Sequence, residues 1–406
     1  ANGCANSASQ NATVNALPAP TISGLASGYC VTTSAITMTG NPAGGTFSGT
    51  GVSGNTFDPG AAGIGGPYTI TYDYTDANGC SNTVSQDVDV YDLPTVTIAG
   101  LASDYCENEP AAILTGSPAG GVFSGQGISG NSFDPATAGA GGPYTITYDY
   151  TDGQGCSNST SQNVTVNAVP VVSFSGLNPA YCEDEPASTL TGSPAGGTFS
   201  GTGISGNDFN PAIAGAGGPY TITYDYTDAN GCSASADNDV TVNALPVLSI
   251  SGLAADYCVD AAMATLTGSP AGGTFSGPGI SGNDFDPATA GAGGPYVINY
   301  DYTDANGCSN NTSETVAVNP LPVVSFSGLA SDYCEDAGAS TLTGSPAGGT
   351  FSGTGISGNN FDPALATAGG PYVITYDFTD ANGCSSSDVQ NVTVNAVPVV
   401  LSLIHI

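Results

Sequence analysis

The sequence predicts an all-β protein, a tandem array of Ig-like antiparallel β-sandwich domains with a 76-residue repeat. Three observations predict it. Cysteines recur at 76-residue intervals in two series along the 406-residue chain. Each period contains a run in which apolar and polar residues alternate, which is typical of a strand with one buried face. Gly-rich segments separate further short runs of β-prone residues, as in a sandwich of many short strands. The two cysteine series are Cys30, Cys106, Cys182, Cys258 and Cys334, and Cys4, Cys80, Cys156, Cys232, Cys308 and Cys384.

A Leu-Pro or Val-Pro dipeptide recurs on the same interval and marks the boundaries between periods. The predicted organisation is the C-terminal end of a truncated repeat (1–17), five Ig-like repeats (18–93, 94–169, 170–245, 246–321 and 322–397), and the start of a sixth repeat or an adapter-derived tail (398–406). Very short linkers such as Asn15–Pro18 limit bending, and proline fixes φ. We therefore expect a semi-rigid, extended rod.

The first repeat illustrates the predicted elements. Short strands are predicted at Thr21–Ser23 and Ala35–Thr39. A hairpin turn is predicted at Val52–Asn55, between strands Thr46–Ser48 and Thr56–Asp58, because Gly and Asn tolerate the positive φ of tight turns. No helical period is visible anywhere in the repeat.

The clearest predicted strand is Tyr68–Thr75, followed by a turn at Asp76–Gly79 and a last strand. Strict alternation predicts that its apolar and aromatic side chains face the core while Thr and Asp face solvent. The predicted inward positions are Tyr68, Ile70, Tyr72 and Tyr74, and then Cys80, Val84, Val88 and Val90. This alternation favours core packing of the tyrosines over a sugar-binding platform.

Two cysteines in a domain of this size indicate a stabilising disulfide. The predicted pairs lie within a repeat, 50 residues apart: Cys30–Cys80, Cys106–Cys156, Cys182–Cys232, Cys258–Cys308 and Cys334–Cys384. A rival scheme at spacing 26 pairs Cys4 with Cys30 and Cys80 with Cys106, and the spacing does not choose between them. The within-repeat scheme is favoured because each domain would then fold alone. Regular disulfides also predict a secreted or cell-surface protein.

The chain has no Lys or Arg, 34 Asp and Glu, and a formal charge of −34. Phosphate binding relies on Lys and Arg, so the composition excludes a nucleic-acid-binding function and disfavours an anionic membrane. No run of 18 apolar residues predicts membrane insertion. His405 is the single histidine, so a repeated Ser-His site is excluded. Paired carboxylates serve glycosidases, but an active site repeated five times in tandem is not expected. The chain is therefore predicted not to be an enzyme.

Calcium is the one candidate cofactor, because Ca²⁺ prefers carboxylate and carbonyl oxygens. Every repeat has two Asp at the end of its long strand. These candidate ligands are Asp73, Asp76, Asp149, Asp152, Asp225, Asp228, Asp301, Asp304, Asp377 and Asp380. A second acidic set follows the first cysteine of several repeats: Glu107, Glu109, Glu183, Asp184, Glu185, Glu335 and Asp336. The favoured alternative is that the Asp76 position shapes a turn and the Asp73 position is solvated.

A further acidic position precedes proline in four repeats and is asparagine in the third. The residues are Asp58, Asp134, Asn210, Asp286 and Asp362. Because asparagine fills a turn role but is a weaker metal ligand, this exchange predicts a turn role.

The segments Phe47–Pro59 and Tyr68–Cys80 resemble the Ig-like repeats of very large surface proteins from gliding, type IX-secreting Bacteroidota. The resemblance covers the chain to about Val400. It implies secretion, display at the cell surface and a stalk, adhesin or filament role. The last six residues, 401–406, depart from the repeats and match the in-frame translation of a common sequencing adapter, although a genuine first strand is the alternative.

The predicted function is a structural cell-surface stalk or adhesin. One alternative is a self-assembling extracellular filament or sheath, and another is an array of carbohydrate-binding modules. The expected partners are neighbouring copies of the chain itself or a cell-surface or glycan ligand.

Overall fold

Each repeat contains seven short strands, two strands of 11 residues and a one-turn helix in the computed structural model, which describes residue 3 and residues 5–399. The elements of the first repeat are β1 (Thr21–Ser23), β2 (Gly28–Cys30), β3 (Ile36–Thr37), β4 (Thr39–Asn41), β5 (Thr46–Ser48), β6 (Val52–Ser53), β7 (Thr56–Phe57), α1 (Pro59–Ala62), β8 (Gly65–Thr75) and β9 (Ser81–Tyr91). Every element recurs with the same length in each of the four repeats that follow. The same labels are therefore used in all five repeats.

The strands form a small sandwich. One sheet has four strands in the order β2-β9-β8-β5, and the other layer is made by the three-stranded sheet β3-β7-β6 and the pair β1-β4. This order holds in repeats 1, 2, 4 and 5. The predicted all-β sandwich is confirmed, with one addition. Strand β2 runs parallel to β9, with Gly28 opposite Asp89 and Cys30 opposite Tyr91.

Two sequence-based strand assignments differ from the structure. The predicted strand Ala35–Thr39 is divided into β3 and β4, because Met38 between them turns into the core and is 1% exposed. The predicted hairpin turn contains a strand of its own, since Val52–Ser53 is β6 and pairs with β7 around Gly54. Thr46–Ser48 instead pairs with β8. The glycine-rich turn was therefore located correctly, and its incoming strand was not.

The short helix α1 was not predicted, since four residues are too few to show a helical period. Asp58 caps it: the carboxylate accepts hydrogen bonds from the Gly60 and Ala61 backbone N–H groups at 2.9 and 3.3 Å. Pro59 occupies the first turn, where it has no N–H to leave unpaired. In the third repeat Asn210 accepts the equivalent bond from Ala212 at 3.0 Å. The Asp-Pro dipeptide was the available sequence signal.

The core lies between the two layers. Ile70 and Tyr72 of β8 are 0% and 2% exposed, and Phe57 of β7 is 0% exposed. Tyr68 and Tyr74 are half-buried on the same face, while Thr69 and Asp73 are exposed. The predicted alternation is therefore confirmed, and the tyrosines belong to the core.

The Tyr72 hydroxyl closes the sandwich at one corner. It donates to the Pro42 carbonyl at 2.7 Å and accepts from the Gly45 N–H at 2.8 Å. Gly40 lies beneath the ring, where an added Cβ would come within 2.1 Å of the ring Cζ. The buried hydroxyl is thus satisfied on both sides, as a polar group in a core must be.

The described residues divide into two compact units. The first comprises residues up to Phe174 together with Gly192–Thr198 and Tyr224–Ala236, and the second comprises the rest. Repeats 1 and 2 lie in the first unit, and repeats 4 and 5 lie in the second. Within residues 5–399 the structure contains no helix with the length and apolar character of a membrane span.

Candidate functional site: the disulfide-linked junction between repeats

Disulfides link each repeat to the next one along the chain. Each bond joins the first cysteine of one repeat to the second cysteine of the following repeat, 126 residues away, and each lies within one of the two units. The bonds are Cys30–Cys156, Cys106–Cys232, Cys182–Cys308 and Cys258–Cys384.

The predicted within-repeat pairing is therefore wrong. None of the pairs Cys30–Cys80, Cys106–Cys156, Cys182–Cys232, Cys258–Cys308 and Cys334–Cys384 is formed. The reason is the parallel pairing of β2 with β9. It sets Cys30 beside Tyr91, at the end of β9, whereas Cys80 immediately precedes the start of that strand. Eleven residues of strand separate them by about 35 Å, against a Cα–Cα distance of 5.5 Å in the bonded pairs.

The rival pairing at spacing 26 is also wrong. Cys80 lies at the start of β9 in repeat 1, and Cys106 lies beside the end of β9 in repeat 2. The two cysteines that do meet lie at the junction between the repeats. Cys30 lies beside the end of β9 in repeat 1, and Cys156 lies just before the start of β9 in repeat 2. We call the side of a repeat that carries its first cysteine, such as Cys30 in repeat 1, the far end of that repeat. The side that carries its second cysteine, such as Cys156 in repeat 2, is its near end.

At the far end of repeats 2 and 3, backbone hydrogen bonds and a carboxylate fix the first cysteine. The Glu107 N–H donates to the Asn167 carbonyl at 2.9 Å, which continues the β2–β9 ladder past Cys106. The Glu109 side chain accepts from the Cys106 N–H at 3.1 Å. Glu185 does the same for Cys182 at 3.0 Å. These glutamates shape the cysteine loop, a role that was not predicted from the sequence.

At the near end, an aspartate turn fixes the second cysteine. The Asp152 carboxylate accepts from the Cys156 N–H at 2.8 Å and from the Gln154 N–H at 3.0 Å. Asp76, Asp228, Asp304 and Asp380 make the same pair of bonds in the other repeats. The hydrogen bond from the Cys80 N–H, followed by the bonds from Asn78, holds the pKa of Asp76 below its usual value of 3.8.

The linker is tied to the same near end. The Asn158 side-chain amide, two residues after Cys156, donates to the Pro94 carbonyl at 2.8 Å. Asn82 and Asn310 make the equivalent bonds to Pro18 and Pro246 at 2.7 and 2.9 Å. In repeats 1, 2 and 4, the first residue of the repeat is thus held beside the second cysteine of that repeat.

Six of the eight bonded cysteines are buried, whereas Cys30 and Cys258 are half-buried. Four second cysteines are 0% exposed, and Cys106 and Cys182 on the other side of their bonds are 7% exposed. The four are Cys156, Cys232, Cys308 and Cys384. Because exchange requires attack by a thiolate on a disulfide sulfur, such burial slows reduction. The junction is therefore a covalent link whose reduction is slowed by burial.

The candidate calcium ligands occupy two settings. The Asp73 position is exposed on the outer face of β8, opposite Thr46 and Thr83. The Asp76 position has an oxygen engaged by backbone N–H groups, as the turn alternative requires. Across residues 5–399, no three His, Cys, Asp or Glu side chains lie together in a group that could hold a metal ion. Calcium binding at these residues stays a prediction.

A shallow groove lies on the hairpin beside the near end. In repeat 2 it has a volume of about 420 Å³ and is lined by residues 149–151 of β8 and 157–159 of β9, including the half-buried Tyr150. A similar groove in repeat 4 includes Tyr302. The carbohydrate-binding alternative stays a prediction. His405 and residues 401–406 lie outside the described residues.

Comparison with known proteins gave structural likenesses only. No family model matches the sequence, and no curated protein matches it. A Ca²⁺-stabilised adhesin that helps an Antarctic bacterium bind ice is 12% identical, with 94% of this chain and 100% of that chain covered and a TM-score of 0.26. The ICAM-5 D1–D4 ectodomain fragment is 10% identical, with 74% and 99% covered and a TM-score of 0.32. The human desmocollin-1 ectodomain is 10% identical, with 94% and 99% covered and a TM-score of 0.18.

Proposed function

We propose that this chain is a tension-bearing segment of an extracellular stalk or adhesin. The observation that carries the proposal is the set of four disulfides that link consecutive repeats with one connectivity. Disulfides of this regularity persist outside the cytoplasm, which supports secretion or display at a cell surface. The resemblance to surface repeats of gliding Bacteroidota supports the same location.

The disulfide loops overlap, and this makes them a mechanical network. The loop closed by Cys30–Cys156 shares residues 106–156 with the loop closed by Cys106–Cys232, and the next two overlaps repeat this arrangement. A pulling force can therefore be carried across several repeats by disulfides and the short stretches of backbone between them. Unfolding a repeat releases little length, because the covalent path across it is already short.

The shortest covalent path follows from the connectivity. Cys30 and Cys384 are 354 residues apart in sequence. The path crosses to Cys156, runs forward to Cys182, crosses to Cys308, runs back to Cys258 and crosses to Cys384. The two stretches of backbone on this path, 156–182 and 258–308, together have the length of one 76-residue period. At about 3.4 Å per extended residue, the limit between these cysteines is about 260 Å, against about 1,200 Å for the reduced chain.

Single-molecule force extension tests the proposal directly. The 406-residue chain, attached through tags at its two ends, is stretched in oxidising buffer and again after full reduction. We expect reduction to lengthen the maximal extension by about 950 Å, because the residues outside the shortest path are released. An oxidised chain that reaches the length of the reduced chain would refute the network.

Matched double variants sharpen the test. Cys106→Ser with Cys232→Ser removes one interior bond but leaves a path of the same length, so the oxidised limit should not change. Cys30→Ser with Cys156→Ser forces a longer path through Cys106, so the limit should rise by about 90 Å. A change of similar size in both variants would contradict the overlapping connectivity.

The charge of the array bears on its partners. A formal charge of −34 with no Lys or Arg makes close approach of two copies unfavourable in low salt, because like charges repel. A stalk gains from this, since its repeats stay apart from neighbouring stalks. An adhesive partner would then be a cell-surface or glycan ligand bound by the protein of which this array is a part.

A further inference from the structure

The four disulfide junctions fall into two kinds, because their first cysteines differ in burial. Cys106 and Cys182 are 7% exposed, whereas Cys30 and Cys258 are half-buried. The second cysteine of every bond is 0% exposed, so the difference lies on one side of the bond. Both repeats at each of these junctions are complete, so the difference belongs to the repeats themselves.

The residue three positions after the first cysteine divides the junctions in the same way. In all four repeats its N–H donates to the cysteine carbonyl and closes a tight turn. In repeats 2 and 3 this residue is glutamate, and its carboxylate reaches back to the cysteine N–H at 3.1 and 3.0 Å. In repeats 1 and 4 it is Thr33 and Ala261, which have no carboxylate. We call Cys106–Cys232 and Cys182–Cys308 the capped junctions, and Cys30–Cys156 and Cys258–Cys384 the uncapped junctions.

The tyrosine that precedes the cysteine in β2 follows the same division. Tyr105 and Tyr181 are 8% and 2% exposed, whereas Tyr29 and Tyr257 are half-buried. In the repeats with the glutamate, β2 is thus buried at two consecutive residues, and in the other two repeats it is buried at neither. The cap and the burial of the strand therefore occur together.

We infer that the uncapped junctions are sites of thiol–disulfide exchange with small thiols such as glutathione, and that the capped junctions resist this exchange. Exchange begins when a thiolate approaches one sulfur of the bond. Cys30 and Cys258 are the bonded cysteines that solvent reaches most easily. At a capped junction the first cysteine is buried, and the carboxylate beside it repels an incoming thiolate because both are negative.

The exchange at Cys30 proceeds in two steps that leave the electrons balanced. A glutathione thiolate attacks the Cys30 sulfur, forms a mixed disulfide there and releases the thiolate of Cys156. A second glutathione thiolate attacks the glutathione sulfur of the mixed disulfide and releases the thiolate of Cys30. One protein disulfide is reduced to two thiols, and two glutathiones are oxidised to one glutathione disulfide.

The two kinds of junction control very different lengths of chain. With both uncapped bonds reduced, the shortest path from Cys30 to Cys384 must follow the backbone to Cys106 and again from Cys308, so its limit rises by about 430 Å. Loss of both capped bonds leaves a path through residues 156–258, and the limit rises by about 90 Å. The more accessible bonds are thus the ones whose opening releases most of the chain. The inference goes beyond the proposed function, because it concerns the order in which the bonds open.

Limited reduction by glutathione tests the inference on the oxidised full-length chain. Cys4→Ser, Cys80→Ser and Cys334→Ser are introduced first, so that no other thiol of the chain rearranges the bonds. New thiols are alkylated at successive times, and peptic peptides are measured by mass spectrometry. None of the three substitutions touches an observed disulfide, so the fold should be that of the parent.

We expect the first cysteines of the uncapped junctions to be alkylated at least about fivefold faster than those of the capped junctions, the factor that one repelled charge at close range gives in water. The faster pair is Cys30 and Cys258, and the slower pair is Cys106 and Cys182. Equal rates at all four bonds, or faster opening of the capped junctions, would overturn the inference.

Matched variants test the role of the cap. Glu109→Ala should speed the opening of Cys106–Cys232 and leave Cys182–Cys308 unchanged. The control is Glu107→Gln, which removes the same charge from a residue whose side chain does not cap the cysteine. Ala261→Glu should slow the opening of Cys258–Cys384.

Equal acceleration by Glu109→Ala and Glu107→Gln would contradict the cap, since it would show a general effect of charge. The failure of this inference is distinguishable from the failure of the proposed function. The force-extension experiment compares the fully oxidised chain with the fully reduced chain, so its result does not depend on the order in which the bonds open.

Discussion

The interior of a repeat and the junction between two repeats are stabilised by different means. In repeat 2 the interior is an apolar core with Phe133 and Ile146 both 0% exposed, closed by the buried hydroxyl of Tyr148. The junction to repeat 1 relies on a disulfide, an aspartate turn and an asparagine clamp. The interior depends on burial of many side chains, and the junction depends on a few covalent and polar contacts. Changes at the two places should therefore have separable effects.

The largest expected effect comes from breaking the junction. Replacing Cys30 and Cys156 by alanine opens a loop that spans 126 residues, and the chain-entropy model gives a loss of about 5 kcal/mol. Hydrogen exchange followed by mass spectrometry should show lower protection in repeats 1 and 2, while the β8–β9 hairpin of repeat 5 keeps its protection. An equal loss in all five repeats would show that junction and interior do not separate.

The next largest effect comes from the interior. Phe133→Ala removes a fully buried ring and should destabilise repeat 2 by about 3–5 kcal/mol. Local exchange in repeat 2 measures it. The control is Ile113→Ala in the same repeat, where the side chain is 70% exposed and the change should stay within about 0.5 kcal/mol. Loss of the Cys258–Cys384 bond in the Phe133 variant would contradict a local core.

A smaller effect is expected from one hydroxyl. The Tyr148 hydroxyl lies 2.7 Å from the Pro118 carbonyl and 2.8 Å from the Gly121 N–H. Tyr148→Phe removes this hydroxyl and leaves both backbone groups without their partner. An unsatisfied buried group costs about 1–3 kcal/mol. Denaturant unfolding of repeat 2, followed by exchange, checks this value. Tyr150→Phe, at the next inward position of the strand, serves as the control. Equal losses in the two variants would remove the special role of the corner.

The smallest effect is a pH dependence at the junction turn. The lowered pKa of Asp76 means that its ionised form is favoured by folding. Its contribution is fully present above pH 3.8 and is lost as the pH falls through the lower pKa of the folded state. The stability difference between the wild type and Asp76→Asn should therefore shrink at low pH. NMR titration of the Asp76 carboxyl gives the pKa, and a value above 3.8 would contradict the turn geometry.

The sequence was sufficient for the interior of a repeat, because alternation determines which side chains face inward. Tyr72 and Ile70 are buried where the period of two places them. The sequence was insufficient to predict the disulfide pairing at the junction. An exact repeat determines a pairing only up to a whole number of periods, so the spacings 26, 50 and 126 all connect the same two kinds of cysteine. The choice depends on the direction of β2 beside β9, and a three-residue strand contains no pattern that indicates its direction.

One part of the candidate site, the aspartate turn, was predicted from the sequence, and another part, the glutamate cap, was not. The Asp76 position was expected to shape a turn, and it accepts hydrogen bonds from the backbone N–H groups of Asn78 and Cys80 as a turn residue does. The cap formed by Glu109 over Cys106 was not expected. An isolated carboxylate near a cysteine has no periodic signature, and two kinds of role, a loop cap and a metal ligand, use the same residue type.

The connectivity of the junctions also has a consequence for the gene. Because every bond joins a repeat to its immediate successor, unequal recombination that adds or removes one whole 76-residue unit restores the same set of bonds around the new boundary. An array of this design can thus change its copy number without creating an orphan thiol in its interior. Selection on the reach of the molecule can then act through duplication alone, with no compensating point mutation needed at any cysteine.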